Sequence, residues 1–428
     1  MNDRIEDRIA ALTPQKKALL ERQLNQRVRP APEPAAPRAD ATPVRDAQAA
    51  PTAAEAERGL DFSFLFFSGD GASSQPDKYR LLLECARYAD ANGYAALWAP
   101  ERHFKPFGGL YPNPAVIAAA LAMVTERIEL RAGSVVLPLQ NPLRVVEEWS
   151  VVDNLSNGRV AIAFASGWLA DDFVLAPERY PSRRELMFRE IETVRKLWRG
   201  ESVELRNGQD EPTQVRVYPN PIQAQPPIWI TATGKGTFVE AGKIGANVLT
   251  GLMEQGLEQC ADSIQAYRRA RAEHGHDPRA GRVAVMLHTF LGEDLAEVKR
   301  TVRGPFGDYL QSFLRMTKTT LAPQAAGTAA DAALQAQDQQ ALLDFAFERY
   351  FNTRALLGTP HSCAAMTESL QAMDVDEVAC LLDFGLDTDT VLSGLDGLTQ
   401  LMRSTRRARA AHPADAGSER RSDKASPA

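Results

Sequence analysis

Long apolar segments and a secretory leader are both missing from this chain of 428 residues. The longest nearly apolar run covers residues 115–124, which is well short of the roughly 18 residues that a membrane-spanning helix needs. The chain opens Met-Asn-Asp-Arg and shows no apolar core of the kind that a signal peptide contains. We therefore expect a cytoplasmic protein with no membrane partner.

Cysteine pairs and an excess of positive charge are missing as well. The four cysteines, Cys85, Cys260, Cys363 and Cys380, are far apart, and no Cys-x-x-Cys occurs. This spacing argues against a disulfide framework and a zinc site.

The 49 Lys and Arg residues are outnumbered by 55 Asp and Glu residues, for a formal net charge of -6. A nucleic-acid-binding protein would usually carry a basic face, so we expect no nucleic-acid partner.

Composition divides the chain into four parts. The chain is 44% hydrophobic, which is enough to build a large folded core. Residues 29–58 are rich in Ala and Pro and lack aromatic side chains, so we predict a disordered linker there. Residues 1–28 carry Leu and Ile mostly at helical spacing and predict a short helical appendage. Residues 59–403 form the folded domain, and the polar residues 404–428 are predicted to be a disordered tail.

Apolar runs and helical segments alternate through the folded domain. We predict eight strands, each followed by a helix, at residues 60–68, 94–100, 128–138, 159–166, 227–233, 246–251, 282–292 and 377–385. Near-continuous apolar strands are typical of a buried parallel sheet, and eight repeats predict an α/β fold of the (β/α)8 TIM-barrel type. A doubly wound open sheet is the alternative. The barrel is favoured because the strand count is eight and no early Gly-x-Gly-x-x-Gly occurs.

Two insertions interrupt this rhythm, after the fourth and the seventh strand. Residues 201–226 contain Asn207-Gly208, a hairpin turn signal, and predict a short strand pair. Residues 316–347 are rich in Ala, Gln and Thr. They predict either a mobile lid or an additional helix near the mouth of the barrel.

In a TIM barrel the chemistry lies at the C-terminal ends of the strands, which restricts the candidate residues. The second strand is followed by Glu101, Arg102 and His103. Because histidine can exchange protons near neutral pH, His103 is the candidate for proton transfer, with Glu101 and Arg102 as charged neighbours. The alternative for His103 is a structural role, as a cap or a hydrogen-bond partner of the loop. His288 lies inside the predicted seventh strand and could face the barrel interior.

The fifth strand leads into a glycine-rich turn and then a helix. The turn contains Thr233, Gly234, Lys235, Gly236 and Thr237. Glycines let backbone N–H groups approach an anion, and the N-terminus of a helix adds positive potential. The segment therefore predicts a phosphate site, although an ordinary tight turn would have the same composition. The spacing of a P-loop is absent.

The fourth strand ends at Ser166 and Gly167, small residues that could admit a flat ligand against the backbone. Asp171 and Asp172 follow, but adjacent carboxylates on a loop are more often solvated or capping than metal ligands. We therefore expect no metal. Arg144, early in the third helix, could reach a phosphate, although a surface salt bridge is the usual role of a lone arginine.

Together, these segments resemble the bacterial luciferase-like monooxygenase family. The stretches that carry the resemblance follow in the family's order: APERHFKPFGGLYPNP (99–114), AGSVVLPLQNPLRVVEEWSVVDNLSNGR (132–159), FASGWLADDF (164–173), PPIWITATGKGT (226–237) and GTPHSCAAM (358–366). The resemblance covers about residues 60–403. The combination of PERHF and GLYPNP with FASGW is similar to a subgroup associated with nonribosomal peptide and polyketide assembly lines, hence with natural product biosynthesis.

The resemblance implies a TIM barrel that binds reduced FMN and uses O2. In this family the flavin phosphate is held at the turn that matches residues 233–237, with help from the arginine that matches Arg144. A non-proline cis peptide bond would fall at Gly133–Ser134, and Ser166 and Gly167 would border the flavin. The family also leads us to expect a homodimer.

One position departs from the family pattern. Bacterial luciferase has two successive histidines in the loop after the second strand, and the first of them is tied to catalysis. Here that first position is Arg102, and only His103 is retained. Arginine is always cationic and cannot act as an ordinary base. It could instead stabilise a peroxide, a carboxylate or a phosphopantetheine phosphate.

The sequence therefore predicts an FMN-dependent monooxygenase that hydroxylates an organic substrate or inserts oxygen into it. A separate flavin reductase would supply the reduced FMN. From the subgroup, we expect the substrate to be an acyl or aminoacyl group on a carrier protein. Two alternatives remain open: an F420-dependent oxidoreductase on the same barrel, and a non-catalytic assembly-line partner recruited through its N-terminal helices.

Overall fold

The computed structural model of the chain describes residues 59–71, 76–253, 255–318 and 344–411. The expected helical appendage (1–28) and linker (29–58) lie outside these residues, as do residues 319–343 of the second insertion and residues 412–428 of the tail. No helix within the described ranges is long and apolar enough to cross a membrane.

The described residues contain eleven strands, and eight of them match the predicted barrel strands. They are β1 (Asp61–Leu65), β2 (Ala96–Ala99), β3 (Glu129–Val136), β4 (Val160–Ala165), β5 (Val203–Arg206), β6 (Pro212–Val215), β7 (Ile228–Thr231), β8 (Asn247–Gly251), β9 (Val283–Leu291), β10 (Leu356–Gly358) and β11 (Glu377–Leu381).

Eight parallel strands close into a barrel. Their order around it is β1-β2-β3-β4-β7-β8-β9-β11, and β11 pairs with β1 to complete the circle. In that closing pair, Asp61 lies opposite Glu377 and Leu65 lies opposite Leu381. The short strand β10 adds to β9 outside the circle. Closure confirms the TIM barrel and rules out the open doubly wound sheet.

Helices follow the barrel strands and cover their outer faces. They are α1 (Arg80–Asn92), α2 (Pro114–Ala122), α3 (Pro142–Ser156), α4 (Arg183–Trp198), α5 (Lys235–Lys243), α6 (Leu257–Glu273), α7 (Leu295–Lys318), α8 (344–353), α9 (Pro360–Ala372), α10 (Thr388–Ser393) and α11 (Leu395–Ala411).

Several helices begin where a capping side chain is followed directly by proline. Asn113 accepts a hydrogen bond from the backbone N–H of Ala115 at 2.8 Å, which caps α2. Asn141 caps α3 in the same way, and Thr359 forms a capping box with Ser362 at the start of α9. Proline has the backbone angle of a helix and needs no hydrogen-bond acceptor at this position, so each pair fixes where the chain turns from loop to helix.

The two insertions and the C-terminus differ in part from the expectations. The first insertion is the predicted hairpin, in which β5 and β6 pair antiparallel across Asn207. In the second, α7 extends to Lys318 and residues 344–353 are helical, as one of the two alternatives predicted. The helix α11 extends to Ala411, so the expectation of a disordered tail from residue 404 is wrong for residues 404–411. In this helix Arg403, Ser404 and Arg406 are exposed, whereas Leu401 and Thr405 are buried.

The inside of the barrel is filled by a mixture of very large and very small side chains. The rings of Trp98 and Trp229 meet edge to face, with their centroids 5.1 Å apart. Ala161, Ala163 and Ala284 point into the same cluster and leave room for these rings. The interior is therefore packed at the level of the tryptophans, and any ligand space must lie above them.

Candidate active site

A cavity of about 380 Å³ lies at the C-terminal ends of the strands. Its walls come from the ends of β1, β3, β4, β7, β8 and β9, and α4, α5 and α7 contribute side chains from the outside. This is the end of the barrel at which TIM-barrel enzymes carry their active sites.

One wall of the cavity is backbone at the end of β3. The peptide bond between Gly133 and Ser134 is cis, which confirms the expectation at this position. Gly133 lines the cavity, and a Cβ atom there would lie only 3.0 Å from the Cβ of Trp98. The Ser134 hydroxyl is hydrogen-bonded to the Thr231 hydroxyl on β7. The wall is therefore flat, without a protruding side chain, and it is held from behind by Trp98.

A second wall is the loop that follows β4. Ser166 and Gly167 both line the cavity. Gly167 has a φ of +78°, and a Cβ atom at this position would lie 2.7 Å from the Phe173 ring. Its carbonyl accepts a hydrogen bond from Nε of Arg183 at 3.1 Å. The loop is thus held in a conformation that favours glycine, with its small residues toward the ligand space.

Hydroxyl groups and a helix terminus form the third wall. Thr231, Thr233 and Thr237 line the cavity at the end of β7. The helix α5 starts at Lys235 after Gly234, and no side chain of the described residues caps it. Gly234 and Gly236 leave space around this turn, since no described atom lies within 4 Å of a Cβ built at either position. Backbone N–H groups and hydroxyls at a helix N-terminus can bind an anion.

The structure places the two cationic residues expected at this site away from the cavity. The Lys235 ammonium pairs with Asp262 at 2.7 Å on the protein surface. Arg144 is exposed on α3, where it pairs with Glu147 at 2.6 Å and with Glu148 at 3.4 Å. Its geometry is that of the surface salt bridge that was the alternative for this residue.

Two arginines that the sequence analysis did not single out line the cavity instead. Arg183 and Arg184 open α4 and line the same cavity as Thr233. Arg183 is stacked on the Tyr180 ring at 4.2 Å and Arg184 is exposed. The sequence does contain a signal for them. Two successive arginines begin the helix that follows the fourth strand, and that position is close to the C-terminal end of the barrel, where an anion would bind.

Glu101 holds the loop after β2 in place. Its carboxylate is fully buried and accepts hydrogen bonds from the backbone N–H of Val136 at 2.7 Å and from the Gln140 amide. Nε2 of His103 lies 2.9 Å from the same carboxylate and donates to it. The imidazole of His103 is 12% exposed. Glu101 is therefore a positioning residue that ties His103 to the end of β3.

Arg102 packs into a group of aromatic rings. Its guanidinium carbon lies 4.6 Å from the ring centroid of Phe67, 5.4 Å from that of Trp168 and 5.5 Å from that of Phe107. Phe67 and Trp168 are themselves walls of the cavity. Burial lowers the pKa of Arg102 below its usual value, despite the attraction of Tyr309, Asp172 and Asp383.

Two acids lie near this guanidinium. Asp383 is buried and accepts hydrogen bonds from the backbone N–H groups of Phe67, Ser68 and Gly69 at 2.8 to 3.1 Å. Burial still raises the pKa of Asp383. Asp172 is 8% exposed, and its Oδ1 atom has no hydrogen-bond partner among the described residues. Burial raises the pKa of Asp172 too.

His288 faces the barrel interior, as its position in the strand had suggested. Its ring packs edge to face against Tyr309 at 4.5 Å, Phe306 at 4.8 Å and Phe384 at 5.7 Å. Burial lowers its pKa to about 3, so the imidazole is neutral. Its Nε2 atom has no hydrogen-bond partner within the described part of the chain. Because Tyr309 lies between His288 and the cavity, His288 forms part of the layer beneath the site.

Comparisons with known proteins show the family of the chain. The family described as luciferase-like monooxygenase matches residues 61–377. The oxygenase component of a flavin-dependent trigonelline monooxygenase from Acinetobacter baylyi is 26% identical over 56% of this chain and 68% of its own length. An alkanal monooxygenase alpha chain from Photorhabdus luminescens is 24% identical over 75% of this chain and 90% of its own.

The chain is also similar to a protein that uses another cofactor, and its fold is similar to that of solved structures. An F420-dependent glucose-6-phosphate dehydrogenase from Amycolatopsis mediterranei is 27% identical over 48% of this chain and 63% of its own. The oxygenating constituent of 3,6-diketocamphane monooxygenase from Pseudomonas putida, solved with FMN, superimposes with a TM-score of 0.63. It covers 81% of this chain and 98% of that one at 18% identity, a level that shows the shared fold alone.

Proposed function

The chain belongs to the luciferase-like monooxygenase family, and on that premise we propose that it is a monooxygenase that uses reduced FMN and O2. The observation that carries the proposal is the cavity itself. It combines a flat backbone wall at Gly133 with an anion-binding rim made by the α5 N-terminus, Arg183 and Arg184. A flat ring joined to a phosphate is the ligand that such a pair of walls fits.

The residues present fit FMN at both ends. The cis peptide wall at Gly133 and the Ser166–Gly167 loop leave room for a planar ring system, because neither carries a bulky side chain. Thr233, Thr237 and the N–H groups at the start of α5 would bind the phosphate. Bound reduced FMN would supply the electrons that activate O2, while the protein positions the ring and excludes water.

The loop after β2 supports a division of roles among its three charged residues. Glu101 is buried and holds His103, so it orients the imidazole. Since Nε2 of His103 donates to Glu101, Nδ1 is the ring atom that would exchange a proton with the substrate, although the imidazole is not one of the side chains that line the cavity. Arg102 remains cationic and acts through its charge.

The competing cofactor is F420, because related proteins of this barrel use it. FMN and F420 share a flat tricyclic ring and a phosphate group, so both satisfy the walls described above. Two relatives favour the oxygenase: the trigonelline enzyme is named an oxygenase component and the diketocamphane enzyme an oxygenating constituent. Both names also support a separate reductase as the source of reduced FMN.

The test begins with the cofactor that the full-length chain retains or takes up. Absorbance and mass spectrometry of the bound chromophore, together with titration of FMN and of F420, separate the two cofactors. We expect tight binding of FMN; binding of F420 alone would contradict the proposal.

Oxygen consumption with photoreduced FMN is then measured with free organic acids and with acyl-loaded carrier proteins. If no substrate makes oxygen uptake faster than that of free reduced flavin, the result would favour the alternative that the chain is a non-catalytic partner protein.

A further inference from the structure

The cavity divides into two halves with different chemistry. One arc of the barrel, β2-β3-β4-β7, carries the flat backbone wall, the Ser166–Gly167 loop and the threonines at the α5 turn. The other arc, β8-β9-β11-β1, forms the opposite half together with α7, and we call it the apolar half. None of the described residues that line it is charged. Its large side chains are Leu65, Phe67, Leu249, Met253, Met286 and Tyr309.

The side chain of Tyr309 brings a hydroxyl to the wall of the apolar half. Tyr309 is 4% exposed and lines the cavity. Within the described part of the chain, its hydroxyl has a single hydrogen-bond partner, the sulfur of Met253 at 3.9 Å, and a thioether is a weak acceptor. A buried donor without a strong acceptor costs free energy. A ligand oxygen in the cavity would supply the acceptor that the thioether replaces poorly.

Three neighbouring rings hold the Tyr309 ring in place. His288 packs against it edge to face at 4.5 Å, Phe107 lies at 5.3 Å, and Phe306 is parallel to it at 6.1 Å. Burial raises the pKa of Tyr309, so the hydroxyl keeps its proton and remains a donor. Because ordering a side chain on binding costs free energy, a donor whose ring is already fixed is suited to orient a ligand.

Other polar groups near the apolar half are engaged elsewhere or lie outside the cavity lining. The Thr250 hydroxyl, which also lines this half, accepts a hydrogen bond from the Gln255 amide at 2.9 Å. Asp383 raises the pKa of Tyr309 and Arg102 lowers it, and neither of these two residues lines the cavity. A charged ligand would therefore lose its water here without meeting a counter-ion in the wall, which is costly.

We propose that the apolar half binds the organic substrate as a neutral, mostly apolar compound, and that the Tyr309 hydroxyl orients it by donating a hydrogen bond to an uncharged oxygen. The inference rests on the proposed function for placing FMN in the opposite half. Ligand binding to the apolar half can be measured without turnover, so the two proposals fail separately.

The experiment compares ligands of similar shape that differ in one polar group. Acetophenone, ethylbenzene and benzoate are titrated by calorimetry into the full-length chain saturated with oxidised FMN. Acetophenone offers a neutral acceptor oxygen, ethylbenzene lacks it, and benzoate adds a charge. We expect acetophenone to bind more tightly than benzoate. A hydrogen bond from Tyr309 should also lower the carbonyl stretching frequency of bound acetophenone below its value in an apolar solvent, measured by infrared difference spectroscopy.

One substitution assigns the hydrogen bond to Tyr309. Tyr309→Phe keeps the ring and removes the donor, so it should weaken binding of acetophenone about fivefold relative to ethylbenzene and reverse the infrared shift. Tyr94→Phe is the matched control, because Tyr94 is also 4% exposed but its hydroxyl is bonded to that of Thr399 at 3.0 Å, away from the cavity lining. The control should leave the affinity ratio and the infrared shift unchanged.

Several outcomes would overturn the inference. They are an unchanged affinity ratio in Tyr309→Phe, an equal change in Tyr94→Phe, tighter binding of benzoate than of acetophenone, or no measurable binding of acetophenone. If Tyr309→Phe does not fold, the infrared spectrum of the unmodified chain decides, since an unshifted carbonyl band would show that no donor meets the ligand. If FMN does not bind, the proposed function fails, and the same titrations on the chain alone still test the apolar half.

Discussion

The two ends of the barrel each bury an arginine between aromatic rings, with opposite electrostatic results. At the N-terminal end, Arg131 lies 4.6 Å from the Trp98 ring and 4.8 Å from the Trp229 ring, and donates to both oxygens of Glu377 at 2.8 and 2.9 Å. At the C-terminal end, Arg102 also lies against aromatic rings, the nearest being Phe67 at 4.6 Å, and burial has the larger influence on its charge.

The pKa values of the two arginines follow from this difference. Burial alone would lower the pKa of Arg131, but Glu377 and Glu129 raise it above its usual value. For Arg102 burial prevails, and its pKa is lowered. At the N-terminal end the buried charge forms an ion pair that joins β3 to β11, whereas at the C-terminal end it lies beside rings that line the cavity. This is the division between stability and function that TIM barrels show.

Breaking the pair at the N-terminal end should have the largest effect. Glu377→Gln removes the fully buried carboxylate of this pair and leaves Arg131 with the partly exposed Glu129, which should lower the free energy of unfolding by about 3 kcal/mol, measured by urea denaturation. The control is Glu84→Gln, which removes one exposed partner of Arg80 and should cost about 0.5 kcal/mol or less. A loss below about 1 kcal/mol in Glu377→Gln would show that the two ends do not differ in the way described.

The same pair makes a prediction about pH. Arg131 and Arg282 hold the pKa of Glu377 below its usual value, although burial opposes them. A carboxylate with a lowered pKa in the folded state contributes stability above its unfolded pKa of about 4.3, and this contribution is lost as the pH falls below that value. The difference in stability between the unmodified chain and Glu377→Gln should therefore shrink on acidification.

At the other end, the largest effect is expected on catalysis. Removing the imidazole in His103→Ala should lower kcat for oxygenation about 100-fold or more, because general acid–base catalysis contributes at least that much. Oxidised FMN should still bind, as fluorescence quenching can measure. The control His274→Ala removes an exposed imidazole at the end of α6 and should change neither quantity. Unchanged turnover in His103→Ala would remove His103 from the proposed proton transfer.

The sequence predicted the barrel well because a buried parallel strand needs a continuous apolar run, and eight such runs are present. The strand β10 was not predicted because its three residues, Leu356–Gly358, are too few to produce a pattern. At the site, the cis bond at Gly133–Ser134 was expected from the family resemblance, and the place of Glu101 and His103 after β2 followed from the end of the predicted strand. The partners of Lys235 and Arg144 did not, since a long cationic side chain can reach several acids, and only the folded chain shows that Asp262 and Glu147 are the ones in range.

A smaller effect is expected where a ligand phosphate would meet the α5 turn. Gly234→Val places a β-branched side chain in the open space at the rim and should weaken FMN binding about tenfold, or about 1.4 kcal/mol. Gly208→Val is the matched control, because Gly208 also has no described atom within 4 Å of its Cβ position but lies in the β5–β6 hairpin turn. Equal FMN affinity in Gly234→Val and in the unmodified chain would argue against a phosphate at this turn.

The smallest effect concerns which arginine assists that turn. Arg184 lines the cavity, whereas Arg144 is paired with Glu147 and Glu148 on its own helix. Arg184→Gln should weaken FMN binding several-fold, because an exposed charge at a phosphate contributes about 1 kcal/mol or less. That loss should shrink with added salt, since screening acts on exposed charges. Arg144→Gln should change FMN affinity less than Arg184→Gln. A larger loss of FMN affinity in Arg144→Gln than in Arg184→Gln would mean that Arg144 leaves Glu147 and Glu148 when the cofactor binds. The phosphate would then be bound by an arginine that does not line the cavity in the structure described above.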